Sequence, residues 1–192
     1  MERPRLLLRA ELFSDGTYFD AEAKRFIGSS IDITALARAV VKNLAQPHLL
    51  VKVRFCTSPH LQPRSPSGKF WTQYLDRLKL ASIIELHLGR HEKNRYSDAC
   101  GAERYVEKET DVNVVTLMLN GAHQNRYDTA VLFSGDTDLV PAMKAVRELQ
   151  KHIVWCPFPA QAGLADLERL ADDVFPLEEK FLRTLKVLIV HR

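Results

Sequence analysis

Two short acidic segments carry the residues whose chemistry is most distinctive. Asp15 lies in Ser14-Asp15-Gly16, directly after an apolar run, and Asp136 and Asp138 lie in Ser134-Gly135-Asp136-Thr137-Asp138, directly after another. If the two apolar runs are neighbouring strands, the carboxylates converge, and such a cluster requires a bound cation or protonation. Mg²⁺ and Mn²⁺ prefer oxygen ligands of this kind. Alternatively, each aspartate is an ordinary cap of its own loop or of the next helix.

Alternating strands and helices must position these segments. Strands are predicted at residues 5–13, 49–56, 83–88, 129–136 and 152–158, with a last short one at 173–175. Helices are predicted from Ser30 to before Pro47, at 70–80, from about 102 to Asn120-Gly121, from Pro141, at 165–170 and at 178–190. Polar loops are expected at 14–16, 58–68 and 89–101. The alternation predicts an α/β fold with a mainly parallel sheet of about five strands, covered on both faces. Ligands of such sheets bind beyond the carboxyl ends of the strands.

The stretch from Glu107 to Pro141 resembles the core of the NYN domain, also called LabA-like, within the PIN-like nuclease superfamily. The matching residues are Lys108, Asp111, Tyr127-Asp128, the apolar strand 130–133 and Ser134-Gly135-Asp136-Thr137-Asp138-Leu139-Val140-Pro141. The family also carries an Asp-Gly pair after the first strand, matched by Asp15-Gly16, so the resemblance spans about residues 5–158. It implies a three-layer α/β/α sandwich and a metal-dependent ribonuclease site.

The resemblance also implies roles for individual residues. The catalytic and metal-binding cluster would consist of four aspartates: Asp15, Asp111, Asp136 and Asp138. A bound Mg²⁺ or Mn²⁺ would activate water for hydrolysis of an RNA phosphodiester bond, with no side-chain nucleophile. Lys108 could pair with a carboxylate or a phosphate, and Ser134 could orient a water or cap the helix. Tyr127 and Asp128 are interpreted as structural.

Two positions depart from the family pattern. Tyr18 stands where members usually carry asparagine three residues after the first aspartate, and the region of Thr116 and Leu117 lacks a further aspartate. Thr17 could replace part of the lost polar function. The alternative to a metal-dependent endoribonuclease is therefore a catalytically weak RNA-binding or regulatory module that keeps the fold.

A different enzyme class shares part of the first motif. Ser14-Asp15-Gly16-Thr17 is similar to the first motif of the haloacid-dehalogenase-type phosphatases, which act on small phosphorylated molecules. Their nucleophile would have to be Phe13, which cannot be phosphorylated, and Val140 stands where a second acidic residue is needed. The sequence therefore disfavours this class.

Basic residues are concentrated in one part of the chain. The protein has 27 Lys and Arg against 24 Asp and Glu, a formal charge of +3, yet no acidic residue lies between Asp32 and Asp76. The six basic residues of that segment are Arg38, Lys42, Lys52, Arg54, Arg64 and Lys69. They could face phosphates or form an ordinary solvated surface. The candidate contacts to RNA, the expected partner, lie in two predicted polar loops or directly beside them: Arg64, Lys69, Arg90, Lys93 and Arg95.

Length and composition suit a globular protein of 192 residues, 46% apolar and 27% charged. We expect one domain over 1–192, with a core at about 5–158 and a C-terminal helical extension at about 164–192. No apolar run approaches the roughly 20 residues of a membrane span, and basic residues interrupt the N-terminus, so a cytoplasmic location is expected. The three cysteines suit reduced thiols. The C-terminal helix could pack on its own sheet or form a homodimer contact.

Overall fold

The structure is a computed structural model that describes residues 7–93, 105–159 and 164–185. A parallel six-stranded sheet forms its centre, in the spatial order β3-β2-β1-β6-β7-β8. These strands are β1 (Leu8–Asp15), β2 (His48–Thr57), β3 (Ile84–Leu88), β6 (Thr129–Phe133), β7 (His152–Trp155) and β8 (Asp173–Val174). A separate antiparallel hairpin pairs β4 (Arg90–Lys93) with β5 (Tyr105–Lys108). The expected parallel sheet is confirmed, and the short segment at 173–174 is its sixth strand.

Helices cover both faces of this sheet. The helices on one face are α1 (Gly16–Ile27), α2 (Ile33–Lys42), α3 (Pro66–Leu80) and α7 (Glu179–Arg183). The helices on the other face are α4 (Thr110–His123), α5 (Val140–Glu148) and α6 (Ala165–Leu170). Successive side chains of a strand point to opposite faces of the sheet. Leu12 therefore packs in the core beneath α1, α2, α3 and α7, and its neighbour Phe13 packs in the core beneath α4, α5 and α6. The predicted three-layer α/β/α sandwich is therefore confirmed.

Capping side chains account for where several helices begin. The Asp32 carboxylate accepts hydrogen bonds from the backbone N–H groups of Thr34 at 2.8 Å and Ala35 at 3.2 Å, which starts α2. Ser65 caps α3 through the N–H of Gly68, and Pro66 follows in the first turn. Pro141 likewise lies in the first turn of α5. The first N–H groups of a helix have no partner within it. The Asp32 and Ser65 side chains accept hydrogen bonds from such groups, and proline is tolerated in the first turn because it has no N–H.

The segment after Asp15 was predicted as a loop, which is wrong because α1 begins directly at Gly16. A Cβ atom at Gly16 would lie 2.3 Å from Cζ of Phe55, a buried residue of β2. Glycine is therefore required here for close approach of the helix to the sheet, and the Asp-Gly pair is a helix start rather than a turn. Sequence periodicity cannot reveal such a contact between residues 39 positions apart.

The predicted helical block from residue 102 to Asn120-Gly121 is also corrected at both ends. Residues 105–108 form strand β5, and α4 continues to His123. Gly121 does not end the helix: a Cβ there would lie 2.6 Å from Cε1 of Tyr127, so this glycine makes room for a buried ring. Part of the predicted polar loop 89–101 forms β4 instead. An exposed hairpin lacks the apolar alternation by which strands are recognised.

A buried ion network crosses the sheet beneath α4. Arg54 of β2 is 4% exposed and donates to both carboxylate oxygens of Glu11 of β1, which is 2% exposed, over 3.1 and 3.2 Å. Arg54 also pairs with Glu85 of β3. Burial acts to raise the pKa of Glu85, but the charges of Arg54 and His87 hold it below its usual value. Arg54 therefore belongs to the interior, and its proposed place on a phosphate-facing surface is wrong.

The remaining expectations concern the chain end, the thiols and the membrane. Leu182 of α7 is fully buried in the cluster that includes α1, so this helix packs on its own sheet; residues 186–190 of the predicted helix lie outside the described residues. A homodimer contact stays a prediction.

Cys56 and Cys156 are buried free thiols as expected, while Cys100 lies outside the described residues. In the described ranges, no helix is long and apolar enough to cross a membrane.

The substitution Gly16→Ala tests the close contact between α1 and β2. We expect a loss of about 1–3 kcal/mol in the free energy of unfolding, because the new methyl group would overlap the Phe55 ring. Urea denaturation measures this. The same substitution in a Phe55→Leu background provides the control: it should cost less there, and an equal cost in both backgrounds would contradict the steric explanation.

The buried ion network gives a second prediction. Arg54→Leu leaves the Glu11 carboxylate buried without its partner and should cost about 3–5 kcal/mol in the free energy of unfolding. The double variant Glu11→Leu/Arg54→Leu should recover most of that loss, because no uncompensated charge remains. Guanidinium titration of both variants measures the difference. A double variant no more stable than Arg54→Leu alone would show that the unpaired Glu11 charge is not the cause.

Candidate active site

The predicted acidic segments meet where the strand order of the sheet reverses. From β1 the chain continues to β2 and β3 on one side, whereas β6 and β7 lie on the other. Ser14 of β1 pairs in register with Phe133 of β6, so Asp15 and Ser134 extend beyond the same sheet edge. Crevices at such reversal points are the usual ligand sites of parallel α/β sheets.

Asp15 is fixed by the start of α1. Its carboxylate caps the helix and accepts a hydrogen bond from the backbone N–H of Tyr18 at 3.1 Å. Burial, together with the negative charges of Glu107 and Asp111, raises the pKa of Asp15 to about 7, although the hydrogen bonds from the helix start act in the opposite direction. Without a cation, Asp15 is thus a carboxylate in an unfavourable environment.

Asp136 and Asp138 are held by a tight turn after β6. The Asp138 N–H donates to Oδ1 of Asp136 at 2.8 Å, and the Asp136 N–H donates to Oγ of Ser134 at 3.1 Å. The turn from Thr137 to Leu139 leads straight into α5, with Leu139 buried as an anchor. Asp136 is half-buried and Asp138 exposed, so both carboxylates remain accessible.

Asp111 enters the same region from the first turn of α4 rather than from the middle of a helix. Burial raises its pKa, and the charges of Asp136, Glu107 and Asp138 raise it further. Asp111 thus interacts with the turn after β6, while Asp15 interacts with Asp111. The four predicted aspartates therefore share one electrostatic neighbourhood.

Glu107 of β5 is a fifth carboxylate in this neighbourhood that sequence reasoning did not select. Its Oε1 accepts hydrogen bonds from the hydroxyl of Thr110 at 2.5 Å and from the hydroxyl of Thr17 at 3.2 Å. It was overlooked because this segment was assigned to a helix. The available signal was its position four residues before Asp111, within the stretch that carries the family resemblance.

Of the two residues that follow Asp15-Gly16, Thr17 faces the candidate site and Tyr18 faces the protein interior. Thr17 is exposed and contacts the Thr57 hydroxyl at 2.9 Å as well as Glu107. Tyr18 is partly buried; its hydroxyl is enclosed and has no hydrogen-bond partner in the described part of the chain, and burial raises its pKa. The polar group beside the carboxylates is thus supplied by Thr17.

Ser134 lies inside the protein. It is 1% exposed; its hydroxyl accepts from the Asp136 N–H, and its carbonyl accepts from the indole N–H of Trp155 at 2.8 Å. These contacts favour the structural role over the orientation of a water that was also considered for Ser134. Tyr127 and Asp128 have the expected structural contacts: the Tyr127 hydroxyl donates to the Met118 carbonyl, and Asp128 pairs with Arg9.

The predicted basic contacts lie in two groups. Arg64 and Lys69 are exposed around the start of α3, and Lys108 is exposed at the end of β5. Lys93 is exposed on β4, and Arg95 lies outside the described residues. Arg90 is already engaged by Glu92 and Glu109, so its charge is largely compensated.

The donor set suits a hard divalent cation, since it consists of carboxylates that repel one another. Among the residues that the structure describes, no three His, Cys, Asp or Glu side chains are gathered closely enough to hold one ion. The fit rests on the chemistry of the donors and on the raised pKa values of Asp15 and Asp111. A cation there would offset both.

The phosphatase alternative finds no support in the surroundings of Phe13. Its side chain is fully buried and packs edge-on against the Tyr127 ring, with ring centroids 5.5 Å apart. The position of the required nucleophile is thus apolar and closed to solvent.

The fold and the acidic cluster define an α/β protein with a carboxylate-rich site at the strand-order reversal. Residues 9–178 match the NYN domain family, and the chain belongs to that family. Family membership indicates a nuclease- or RNA-related function and is consistent with the PIN-like superfamily; the LabA-like assignment stays a prediction.

Comparison with solved structures supports the fold. A protein of unknown function from Vibrio parahaemolyticus has a similar structure, with a TM-score of 0.65 and 16% sequence identity, covering 95% of this chain and 99% of that one. The structure called Sa239 has a TM-score of 0.38 at 16% identity, over 86% of this chain and 51% of that one, and carries no argument. The comparison with curated proteins gave no significant match.

The raised pKa of Asp15 predicts a stability change that depends on pH. Its pKa rises from 3.8 to about 7 in the folded protein, so this group destabilises the metal-free protein increasingly as pH rises through that window. Asp15→Asn keeps a capping oxygen but removes the charge. At pH 8 in EDTA it should therefore stabilise the protein by at least about 1 kcal/mol, with a smaller effect at pH 4.

Thermal melts of both proteins at the two pH values measure this effect. Asp76→Asn provides the control, because Asp76 lies on the exposed surface of α3 away from the cluster. An Asp15→Asn variant less stable than the parent at pH 8 would contradict the conclusion that the Asp15 charge is unfavourable in the folded protein.

Proposed function

We propose that the protein is a metal-dependent endoribonuclease that hydrolyses RNA phosphodiester bonds at Asp15, Asp111, Asp136 and Asp138. The observation that carries this proposal is the shared neighbourhood of these aspartates, in which burial, together with nearby negative charges, raises the pKa of Asp15 and of Asp111. Carboxylates held so close together destabilise the folded protein when no ligand is bound. Their presence in one place therefore supports a bound cation that uses them as ligands. Membership of the NYN family points in the same direction.

The metal would be Mg²⁺ or Mn²⁺. Asp15 and Asp136 are the proposed direct ligands, with Asp111 and Asp138 binding directly or through water and Glu107 supporting the set. When bound, the ion would polarise a phosphate oxygen, activate a water and stabilise charge on the leaving oxygen.

The chain's own residues position these ligands on rigid elements. The start of α1 orients Asp15 through the Tyr18 N–H, and the turn after β6 orients Asp136 through the Asp138 N–H. One carboxylate oxygen of each aspartate is thereby fixed, which leaves the other oxygen for a ligand. Positioning of this kind lowers the reorganisation needed for catalysis.

Attack by water is favoured because the potential nucleophiles near the site are inert. The Ser14 hydroxyl is buried, and Ser134 is buried and hydrogen-bonded to the Asp136 N–H. Burial raises the pKa of the Cys56 thiol to about 12, so it is protonated at neutral pH. Lys108, exposed and without an ion pair among the described residues, is the proposed contact to the substrate phosphate.

Flanking basic residues would hold the rest of the RNA. Arg64 and Lys69 lie around the start of α3, whereas Lys93 and Lys108 lie on the hairpin. Arg90 is a weaker candidate because its charge is compensated by Glu92 and Glu109. Phosphate contacts of this kind give affinity with little sequence preference.

The second candidate function is a catalytically weak RNA-binding module. The observation that favours it is Tyr18, which stands at the usual asparagine position and encloses its hydroxyl in the interior. No amide reaches the cluster from this position. Thr17 is then the polar side chain from this part of α1 that contacts a site carboxylate.

The test uses purified protein and a panel of single-stranded and structured RNAs with Mn²⁺, Mg²⁺ or EDTA. We expect cleavage with metal and none with EDTA. Asp136→Asn should lower the rate at least about 100-fold because it removes a proposed ligand. Product formation on denaturing gels measures the rate.

Asp76→Asn is the matched control, since it removes a carboxylate from the exposed surface of α3, and it should cleave like the parent. RNA binding without cleavage under every metal condition would reject the enzyme and leave the binding module. Cleavage that persists unchanged in Asp136→Asn would place the active site elsewhere.

A further inference from the structure

A cavity of about 370 Å³ lies directly beside the acidic cluster. It is formed between α1 and the segment that follows β2, with Ala21 on one side and residues 58–61 on the other. Thr17 lines the cavity and also hydrogen-bonds to Glu107, so the two sites share one side chain. A cavity of this size falls within the range of small-molecule sites.

The walls of the cavity are largely apolar. Trp71 contributes a rigid wall: it is 6% exposed, its indole N–H donates to the Ser58 carbonyl at 3.0 Å, and its ring packs on Tyr74. Pro59 and Leu61 complete this side, and Leu61 is half exposed. Apolar and aromatic walls suit a flat ligand that stacks or slides against them.

Polar groups with unused hydrogen-bonding capacity line the same cavity. Ser58 is 3% exposed, and its hydroxyl has no hydrogen-bond partner among the described residues. The ring of His91 donates through Nε2 to the Pro59 carbonyl at 2.7 Å, which leaves Nδ1 without a described partner.

His60 adds a ring in a fixed orientation. Its Nδ1 must accept the hydrogen bond from the Gln62 N–H at 3.0 Å, so Nε2 carries the proton and faces the Ser67 hydroxyl at 3.3 Å. The ring is thus held at both nitrogens. Together with His91, it frames the cavity with imidazoles rather than with flexible cations.

The charges around the cavity are already compensated. Lys24 pairs with Asp20 at 2.6 Å and lies over the Phe70 ring, 5.2 Å from its centroid. Among the described residues, no unpaired lysine or arginine lines the cavity. A phosphate group would find no unpaired cation here, whereas a neutral heteroaromatic ring would find apolar walls and hydrogen-bonding groups.

We propose that this cavity is a subsite for one unstacked base of a single-stranded RNA. The base would stack along the Trp71 side and hydrogen-bond to His91 Nδ1. Because Thr17 joins the cavity to the acidic cluster, the base belongs to a nucleotide close to the phosphate bound there; this placement rests on the proposed nuclease function. Unstacked bases are how proteins generally recognise single-stranded RNA.

The experiment measures binding separately from cleavage. Asp136→Asn protein is titrated, by fluorescence anisotropy with Mg²⁺, into fluorescein-labelled single-stranded octanucleotides in which one nucleotide at a time lacks its base. We expect removal of the base at one or two adjacent positions to weaken binding about five- to tenfold, as loss of a stacked base does. The backbone charge is unchanged throughout the series.

Two substitutions link that position to the cavity. Ala21→Phe, at an exposed position of α1, fills the cavity and should abolish the difference between intact and base-lacking RNA; Ala165→Phe, exposed at the start of α6, is its control. His91→Ala should reduce the difference, whereas His152→Ala, in a cavity at the opposite strand ends, should not. Circular dichroism checks that each variant is folded.

Three results would overturn the subsite. They are no RNA binding by the Asp136→Asn protein, an equal loss of affinity on base removal at every position, and a position-dependent loss of affinity that persists when Ala21→Phe is added. Failure of the nuclease has a different signature. Wild-type protein would then leave RNA intact with every metal, while the base-dependent binding and its loss in Ala21→Phe would still be observed.

Discussion

The pairing of β1 with both β2 and β6 is the constraint on which the rest of the site depends. It places Asp15 where the strand order reverses and beside the turn that carries Asp136 and Asp138. Asp15 cannot retreat into solvent, because it also caps α1, which is pressed against Phe55 through Gly16. The sheet thus holds the Asp15 carboxylate in a buried position close to other negative charges, and its pKa is raised for both reasons.

Most of the fold could be predicted because its strands and helices have strong apolar patterns. The buried strands at Leu8–Asp15 and Thr129–Phe133 and the capped helix after Asp32 are examples. The misses have physical causes. Gly16 was interpreted as a turn residue and Gly121 as the end of a helix, whereas each makes room for an aromatic ring: Phe55 of β2 and Tyr127 in the segment between α4 and β6.

The site was predictable in part for the same reasons. Its four aspartates follow recognisable strands or match a family pattern, but Glu107 lies on an exposed hairpin with no apolar alternation. Charge counting was least reliable, because it cannot distinguish Arg54, whose partners Glu11 and Glu85 lie on neighbouring strands, from a surface cation. Which charges reach solvent is decided by strand register, and register is a property of the folded sheet.

The order in which the chain is made has a consequence for this site. Asp15 is synthesised before β6, and β1 takes its central position in the sheet only when β6, more than a hundred residues later in the chain, pairs with it. Contacts so distant in sequence carry a large loop-closure cost, which slows folding. A growing polypeptide that has not yet released the segment after Phe133 from the ribosome therefore lacks an assembled acidic cluster, and the carboxylates come together only when the domain is nearly complete.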